Sequence, residues 1–210
     1  GSVTVVDVSA LTSEVVGFDA FDAQRDELAA SGVVLKKGVN PATDLEPEYI
    51  AVSGGKAYIT IQENNAIAVL DLTSRTFDGI YSAGFEDYGV TPVDIDKKDD
   101  AYAPKTYGSL MGIRMPDAIA AFQAEGKTYL VTANEGDARE WGDEDLGTFY
   151  LNEDERDFGE EGVTSPTGAI TAENSGLTGK VVFFKSGDFD GLDTGKDYLF
   201  GGRTFTLYEA

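Results

Sequence analysis

Two short stretches gather carboxylates and amides more densely than a chain reversal requires: Gln62-Glu63-Asn64-Asn65 and Asn134-Glu135-Gly136-Asp137. Each follows a proline–acid step, Pro47-Glu48 in the first case and Pro116-Asp117 in the second. Oxygens of this kind are the ligand set of Ca²⁺, which takes about six to eight of them. Without a cation the acids would repel one another. Glu48, Glu63, Asn64, Asp117, Asn134, Glu135 and Asp137 are therefore the candidate metal ligands. Arg139 lies just beyond Asp137, and Arg114 just before the Met115-Pro116-Asp117 step. Two guanidiniums beside a cation could clamp a phosphate bidentately. A plainer alternative stands beside each assignment. Glu63 and Glu135 could satisfy backbone N–H groups at strand ends. Arg139 could serve as an ordinary ion-pair partner of Asp137 or Glu140. No residue is singled out as catalytic.

The composition narrows the chemistry further. The 210 residues include no His and no Cys, so imidazole bases, Ser-His-Asp triads, thiolate nucleophiles and zinc–sulfur sites are all excluded. Any catalysis would use carboxylates, Lys, Tyr, Arg or a hard cation. Asp and Glu number 38 against 16 Lys and Arg, a net charge of −22. Such a surface repels nucleic acid and anionic membranes, and suits divalent cations, high salt or plain solubility. No apolar run is long enough to span a membrane. The N-terminal GSVTVVDVSA reads as a strand, not a signal peptide, though a chain starting after a removed signal would read the same.

The elements that must position these residues are mostly strands. Val3–Val8, Tyr49–Val52, Lys56–Ile61, Ala66–Leu72, Phe77–Tyr81, Ala118–Phe122, Thr128–Thr132, Lys180–Phe184 and Thr204–Tyr208 are short, β-branched or aromatic, and bounded by turn residues. Ser53–Lys56 (SGGK) and Ala124–Lys127 (AEGK) read as hairpin turns. One helix is expected over Ala23–Ser31, capped by Asp22 and stopped by Gly32.

The strands repeat. PEYIAVSGGKAYITIQEN from Pro47 matches PDAIAAFQAEGKTYLVTANE from Pro116, and Glu63-Asn64 falls on Asn134-Glu135. GGRTFTLYE from Gly201 resembles GGKAYITIQ from Gly54 and would open a third copy. VTVVDVS, IAVLDLT and VVFFKS share a further strand pattern. Recurring units of three or four antiparallel strands point to an all-β fold, part of a β-propeller with four-stranded blades, ahead of a β-sandwich. Blades are expected near 47–84 and 116–186, with blade remnants at 1–16 and 198–210. The remaining blades would come from the parent chain or another chain. Segments 17–44, 85–114 and 135–179 are insertions; from Glu135 through Glu161 the last holds twelve acids against Arg139 and Arg156. A further acidic loop, SGDFDGLDTGKD (Asp188, Asp190, Asp193, Asp197), departs from the EF-hand pattern and reads better as a solvated turn. If each repeat is an antiparallel hairpin, the proline–acid step and the Glu/Asn cluster sit at one end, Glu48 beside Glu63-Asn64 and Asp117 beside Asn134-Glu135.

DLEPEYIAVS, AYITIQENNAIAVLDL, MPDAIAAF, GKTYLVTANEGDARE and YLFGGRTFTLYE together resemble the choice-of-anchor I family over nearly the whole chain. The resemblance implies a large secreted or surface-attached bacterial β-propeller, often labelled alkaline phosphatase-like, and similar to mesenchyme-specific cell surface glycoproteins. The expected location is extracellular or at the cell surface. The expected function is a module that binds Ca²⁺ and serves surface, matrix or mineral contact. The alternative is a calcium-dependent phosphoesterase, similar in architecture to β-propeller phytases, acting on phosphate esters by metal-assisted hydrolysis. A third reading is an interaction module whose acids only solubilise it.

Overall fold

The computed structural model describes residues 1–96, 101–139, 164–177 and 181–210, together with the backbone of 156–159. The first strands are β1 (Ser2–Asp7), β2 (Thr12–Gly17), β3 (Leu35–Lys36) and β4 (Ile50–Ser53). There follow β5 (Lys56–Ile61), β6 (Ala66–Asp71), β7 (Thr76–Ser82), β8 (Phe85–Asp87) and β9 (Leu110–Ile113). The remainder are β10 (Ile119–Ala124), β11 (Lys127–Asn134), β12 (Arg156–Gly159), β13 (Val181–Phe184), β14 (Phe189–Asp190), β15 (Asp197–Phe200) and β16 (Thr204–Glu209).

The four strands β4-β5-β6-β7 form one antiparallel meander. Its central strands read KAYITI and AIAVLD and are buried along nearly their whole length, so both faces of this sheet are covered. Ser53 and Lys56 are joined through Gly54 (φ +61°) and Gly55 (φ +80°), a two-residue reversal that matches strand twist. In the second sheet Glu125 (φ +52°) and Gly126 (φ +78°) make the same reversal between β10 and β11.

The hairpin β1–β2 repeats β6–β7 in detail. Asp7 accepts hydrogen bonds from the N–H groups of Ser9 and Ala10, as Asp71 does from Thr73 and Ser74. The fifth residue of each turn is left-handed, Leu11 at φ +56° and Arg75 at φ +58°.

The second sheet has the order β10-β11-β16. Gly201–Glu209, expected to open a third copy, instead supplies the third strand of this sheet. Its register, Thr132 opposite Thr206 and Leu130 opposite Tyr208, gives it the place that β6 holds in the first sheet. Lys180–Phe184 was expected in the same blade, but β13 pairs with β12 in a separate sheet. The helix also differs from expectation. A 3-10 turn covers Asp19–Gln24 and α1 covers Arg25–Ala30, while Asp22 accepts a hydrogen bond from the N–H of Ala42 instead of capping.

The sheets stack. One face of the first sheet (Ala57, Ile59, Ile61, Ala68, Leu70) packs on Val3, Phe18, Phe21, Leu28, Val33, Leu35 and Leu45 from the N-terminal hairpin and first insertion. Its other face (Tyr58, Ile67, Val69) packs on Leu130, with Ile119, Ala121 and Tyr208, of the second sheet. The 85–114 segment, read from sequence as a polar connection, carries β8 and β9. With β15, which runs parallel to β9, they build a third sheet, and Tyr88, Val93, Ile95, Tyr107 and Leu110 share a core with Val181, Phe183 and Leu199. The protein is all-β. Among the described residues the stack does not close into a ring.

Candidate functional site

Both proline–acid steps lie at the same end of the sheets as the clusters they were paired with. Beyond β4, the N–H of Glu48 bonds the carbonyl of Thr60 at 3.0 Å, and beyond β10 that of Asp117 bonds Ala133 at 2.9 Å. The hairpins therefore bring Glu48 toward Gln62–Asn65 and Asp117 toward Asn134. Because the two sheets are neighbours, the two steps also meet each other. Glu48 is exposed, but its carboxyl is pushed above its ordinary range first by desolvation from the surrounding chain, then by the charges of Asp117 and Asp137.

The turn Gln62–Asn65 is buried throughout. Asn65 takes the left-handed conformation (φ +55°) and is tied down on every side. Its Nδ2 donates to Gly84 O at 3.0 Å, its Oδ1 accepts from the N–H of Met115 at 3.0 Å, and its carbonyl accepts from Ala83. Asn64 donates through Nδ2 to Val34 O and to Asp44 Oδ2, each at 2.9 Å. Both partners are acceptors, so the amide is oriented with Oδ1 pointing away from them. That Oδ1 is buried without a partner, and so is Oε2 of Glu63. Burial is the main reason the Glu63 carboxyl rises to about 8; the charges of Glu48 and Glu46 push in the same direction, and Arg139 opposes them.

Glu46 and Asp44 are the residues that sequence reasoning missed. Asp44, Glu46 and Glu48 alternate in DLEPE; Asp44 closes the short helical turn Pro41–Asp44, and the extended chain that follows places Glu46 and Glu48 on one side. That spacing was the available signal. Asp44 is fully buried and receives Arg139 Nε at 2.8 Å, Asn64 Nδ2, and the N–H of Lys36 at 2.9 Å.

The arginines are engaged within the fold. Arg139 has no exposed surface; Nη2 bonds Val34 O at 3.0 Å and Asp44 Oδ2 at 3.2 Å, and the guanidinium stands 5.0 Å from the Phe189 ring centre. Arg114 pairs through Nε with Glu86 at 2.8 Å and donates to Ala83 O at 3.0 Å. A phosphate would have to displace a carboxylate from each.

Asn134, the counterpart of Glu63, is also fully employed. Its Nδ2 donates to Thr204 and Thr206, and its Oδ1 accepts from Thr132 at 2.8 Å, so it fastens β16 to β11. Glu135 and Asp137 are exposed. The Glu135 carbonyl abuts Gly201, so a Cβ on Gly136 (φ +86°) would fall on the Gly201 backbone and a Cβ on Gly201 (φ +75°) on the Glu135 carbonyl.

The structure thus places Glu48 near Asp117 and Asp137 and places Glu63 near Glu48 and Glu46, with Asn64 next to Glu63 in the same buried turn. It employs Asn134 in strand pairing, and Glu135 is not among the charges that raise Glu48 or Glu63. Among the described residues no three carboxylates are close enough to cage a metal ion by themselves. The SGDFDGLDTGKD acids diverge. Asp190 pairs with Arg25, Asp193 caps Gly195, and Asp197 is buried against Thr167 and Ser109. The acid-rich stretch 140–155 lies outside the described residues.

No curated protein and no solved structure matches the chain. The family model for the choice-of-anchor I domain matches residues 1–210, the whole length, and the chain belongs to the choice-of-anchor I family.

Proposed function

We propose that the chain is a surface-associated module whose stacked sheets are blades of a β-propeller, and that it binds Ca²⁺ at the acid-lined end of those sheets. Family membership supports the surface association. The cation reading rests on one observation: Glu63 Oε2 and Asn64 Oδ1 are buried acceptors without donors, next to further carboxylates. An unsatisfied buried carboxylate is costly, and a hard cation is the partner that would ionise and pair both oxygens at once. Glu63 and Asn64 would be the inner ligands. Glu48, Asp117 and Asp137 would supply charge at the mouth, with water or backbone oxygens completing the shell. Contact with an extracellular matrix or mineral surface would follow from a Ca²⁺-charged face of this kind. Arg114 and Arg139 are both held by carboxylates, so the reading stops at cation binding and does not extend to phosphate-ester hydrolysis.

The test is a thermal melt of the whole chain with and without millimolar CaCl₂. At a hundred times Kd, binding to the folded state alone raises Tm by about 5–10 °C. Glu63→Gln should melt higher than the parent without calcium and respond less to it. An unchanged Tm of the parent protein in millimolar CaCl₂ would sink the reading.

A further inference from the structure

An amide side chain has two unlike ends, and only its oxygen can bind a cation. Asn64 is a ligand only if Oδ1, not Nδ2, faces the ion. Rotating an amide by half a turn exchanges the two atoms, so in many sites the choice is open. Here it is closed. Nδ2 lies 2.9 Å from Val34 O and 2.9 Å from Asp44 Oδ2, and both are acceptors. Turned over, Asn64 would set an oxygen against two oxygens in a place without solvent. Oδ1 is therefore held away from them, where it is buried without a donor, as is Oε2 of the adjacent Glu63.

One guanidinium fixes both acceptors. Arg139 Nη2 donates to Val34 O at 3.0 Å and to Asp44 Oδ2 at 3.2 Å, the same two oxygens that take Asn64. Its Nε holds Asp44 Oδ1 at 2.8 Å. The N–H of Lys36 adds a bond to Asp44 Oδ2 at 2.9 Å, and the N–H of Val34 bonds Asn64 O at 2.8 Å. Val34, Asp44, Asn64 and Arg139 have no exposed surface. A buried ion pair seldom adds stability over an apolar pair of the same shape. Holding one chosen end of a ligand amide is a task that an apolar pair cannot perform.

We propose that Asp44, braced by Arg139, is the positioning residue of the cation site. By taking Asn64 Nδ2 it turns the Asn64 oxygen toward the ion, and so raises Ca²⁺ affinity without touching the ion itself. This role presupposes cation binding at Glu63 and Asn64.

The test is calorimetric titration of CaCl₂ into the whole chain, with the Asn64 side chain followed by NMR. In the parent protein Ca²⁺ should shift the Asn64 Cγ resonance, while the Nδ2 protons stay on Asp44 and Val34 and keep their slow exchange with solvent. Asp44→Leu removes one of the two acceptors and should weaken Ca²⁺ binding about 10–100-fold. Asn64→Asp supplies a carboxylate, which presents an oxygen whichever way it turns. Its gain in affinity should therefore be larger in the Asp44→Leu background than in the parent protein. A residue that only stabilised the fold would give equal gains in the two backgrounds, and that result overturns the proposal. Unchanged affinity in Asp44→Leu overturns it as well. Should the variants fail to fold, the parent protein decides alone. Heat of Ca²⁺ binding with the Asn64 Cγ resonance unmoved overturns the positioning role and leaves cation binding standing; neither heat nor shift overturns both.

Discussion

Arg139 donates through Nε to Asp44 Oδ1 at 2.8 Å, and neither side chain has any exposed surface. The pair joins residues 95 positions apart, linking the end of the first insertion to the segment after β11. Asn64 and the N–H of Lys36 also bond Asp44, so one carboxylate organises four stretches of chain beside the acid cluster.

Removing one partner leaves the other charge buried and unpaired. Arg139→Met should therefore lower unfolding free energy by about 3–5 kcal/mol, measured by urea denaturation. Asp44→Leu alone should be similarly costly, since it strands the guanidinium and two further donors. The double variant should lose less than the sum, by about 1 kcal/mol or more. Strict additivity would mean that the two charges do not stabilise one another.

Glu63 gives a pH dependence of defined sign. Its carboxyl titrates at about 8 in the fold and near the ordinary 4.5 when unfolded. Between those values the folded state holds a proton that the unfolded state has released, so stability falls as pH rises through this window. Below it both forms are protonated, and above it both are ionised and the loss is complete. The cation-free protein should lose a few kcal/mol across this range, and Glu63→Gln should flatten that part of the profile. Denaturation at several pH values in chelator reads it directly.

Much of this was legible in sequence because it was local. The hairpins follow from SGGK and AEGK, and the placement of Glu48 beside Gln62–Asn65 follows from one hairpin register. The failures were long-range. GGRTFTLYE resembles a second strand in composition, and nothing local reveals that Asn134 bonds Thr204 and Thr206 across about 70 residues to make it a third. Nor could Arg139 be matched to Asp44 while nearer acids were available in sequence; burial made the choice. Glu63 and Asn134 align, yet one buries an unpartnered oxygen and the other is satisfied by β16. Alignment alone could not separate them.

Two glycines with the same backbone sign should respond differently to alanine. Gly126 (φ +78°) opens onto empty space, so Gly126→Ala costs only the left-handed penalty, about 1–2 kcal/mol. Gly201 (φ +75°) faces the Glu135 carbonyl, where a Cβ cannot fit without moving the chain. Gly201→Ala should cost at least about 2 kcal/mol more and shift the amide resonances of Glu135 and Gly136. Equal losses would show that the two segments are not in contact.

Asp117→Asn tests whether the two proline–acid steps meet. Asp117 leads into the second sheet and Glu48 into the first, and the charge of Asp117 is the larger of the two that raise the Glu48 carboxyl. Removing that charge should return Glu48 toward its ordinary range without altering its burial, read as a downward move of its midpoint in a carboxyl ¹³C titration. Asp137→Asn should act in the same direction but less. Since Glu48 in turn helps raise Glu63, the Glu63 midpoint should follow in Glu48→Gln. A Glu48 midpoint indifferent to both aspartates would place the acids apart, and with them the mouth of the proposed cation site.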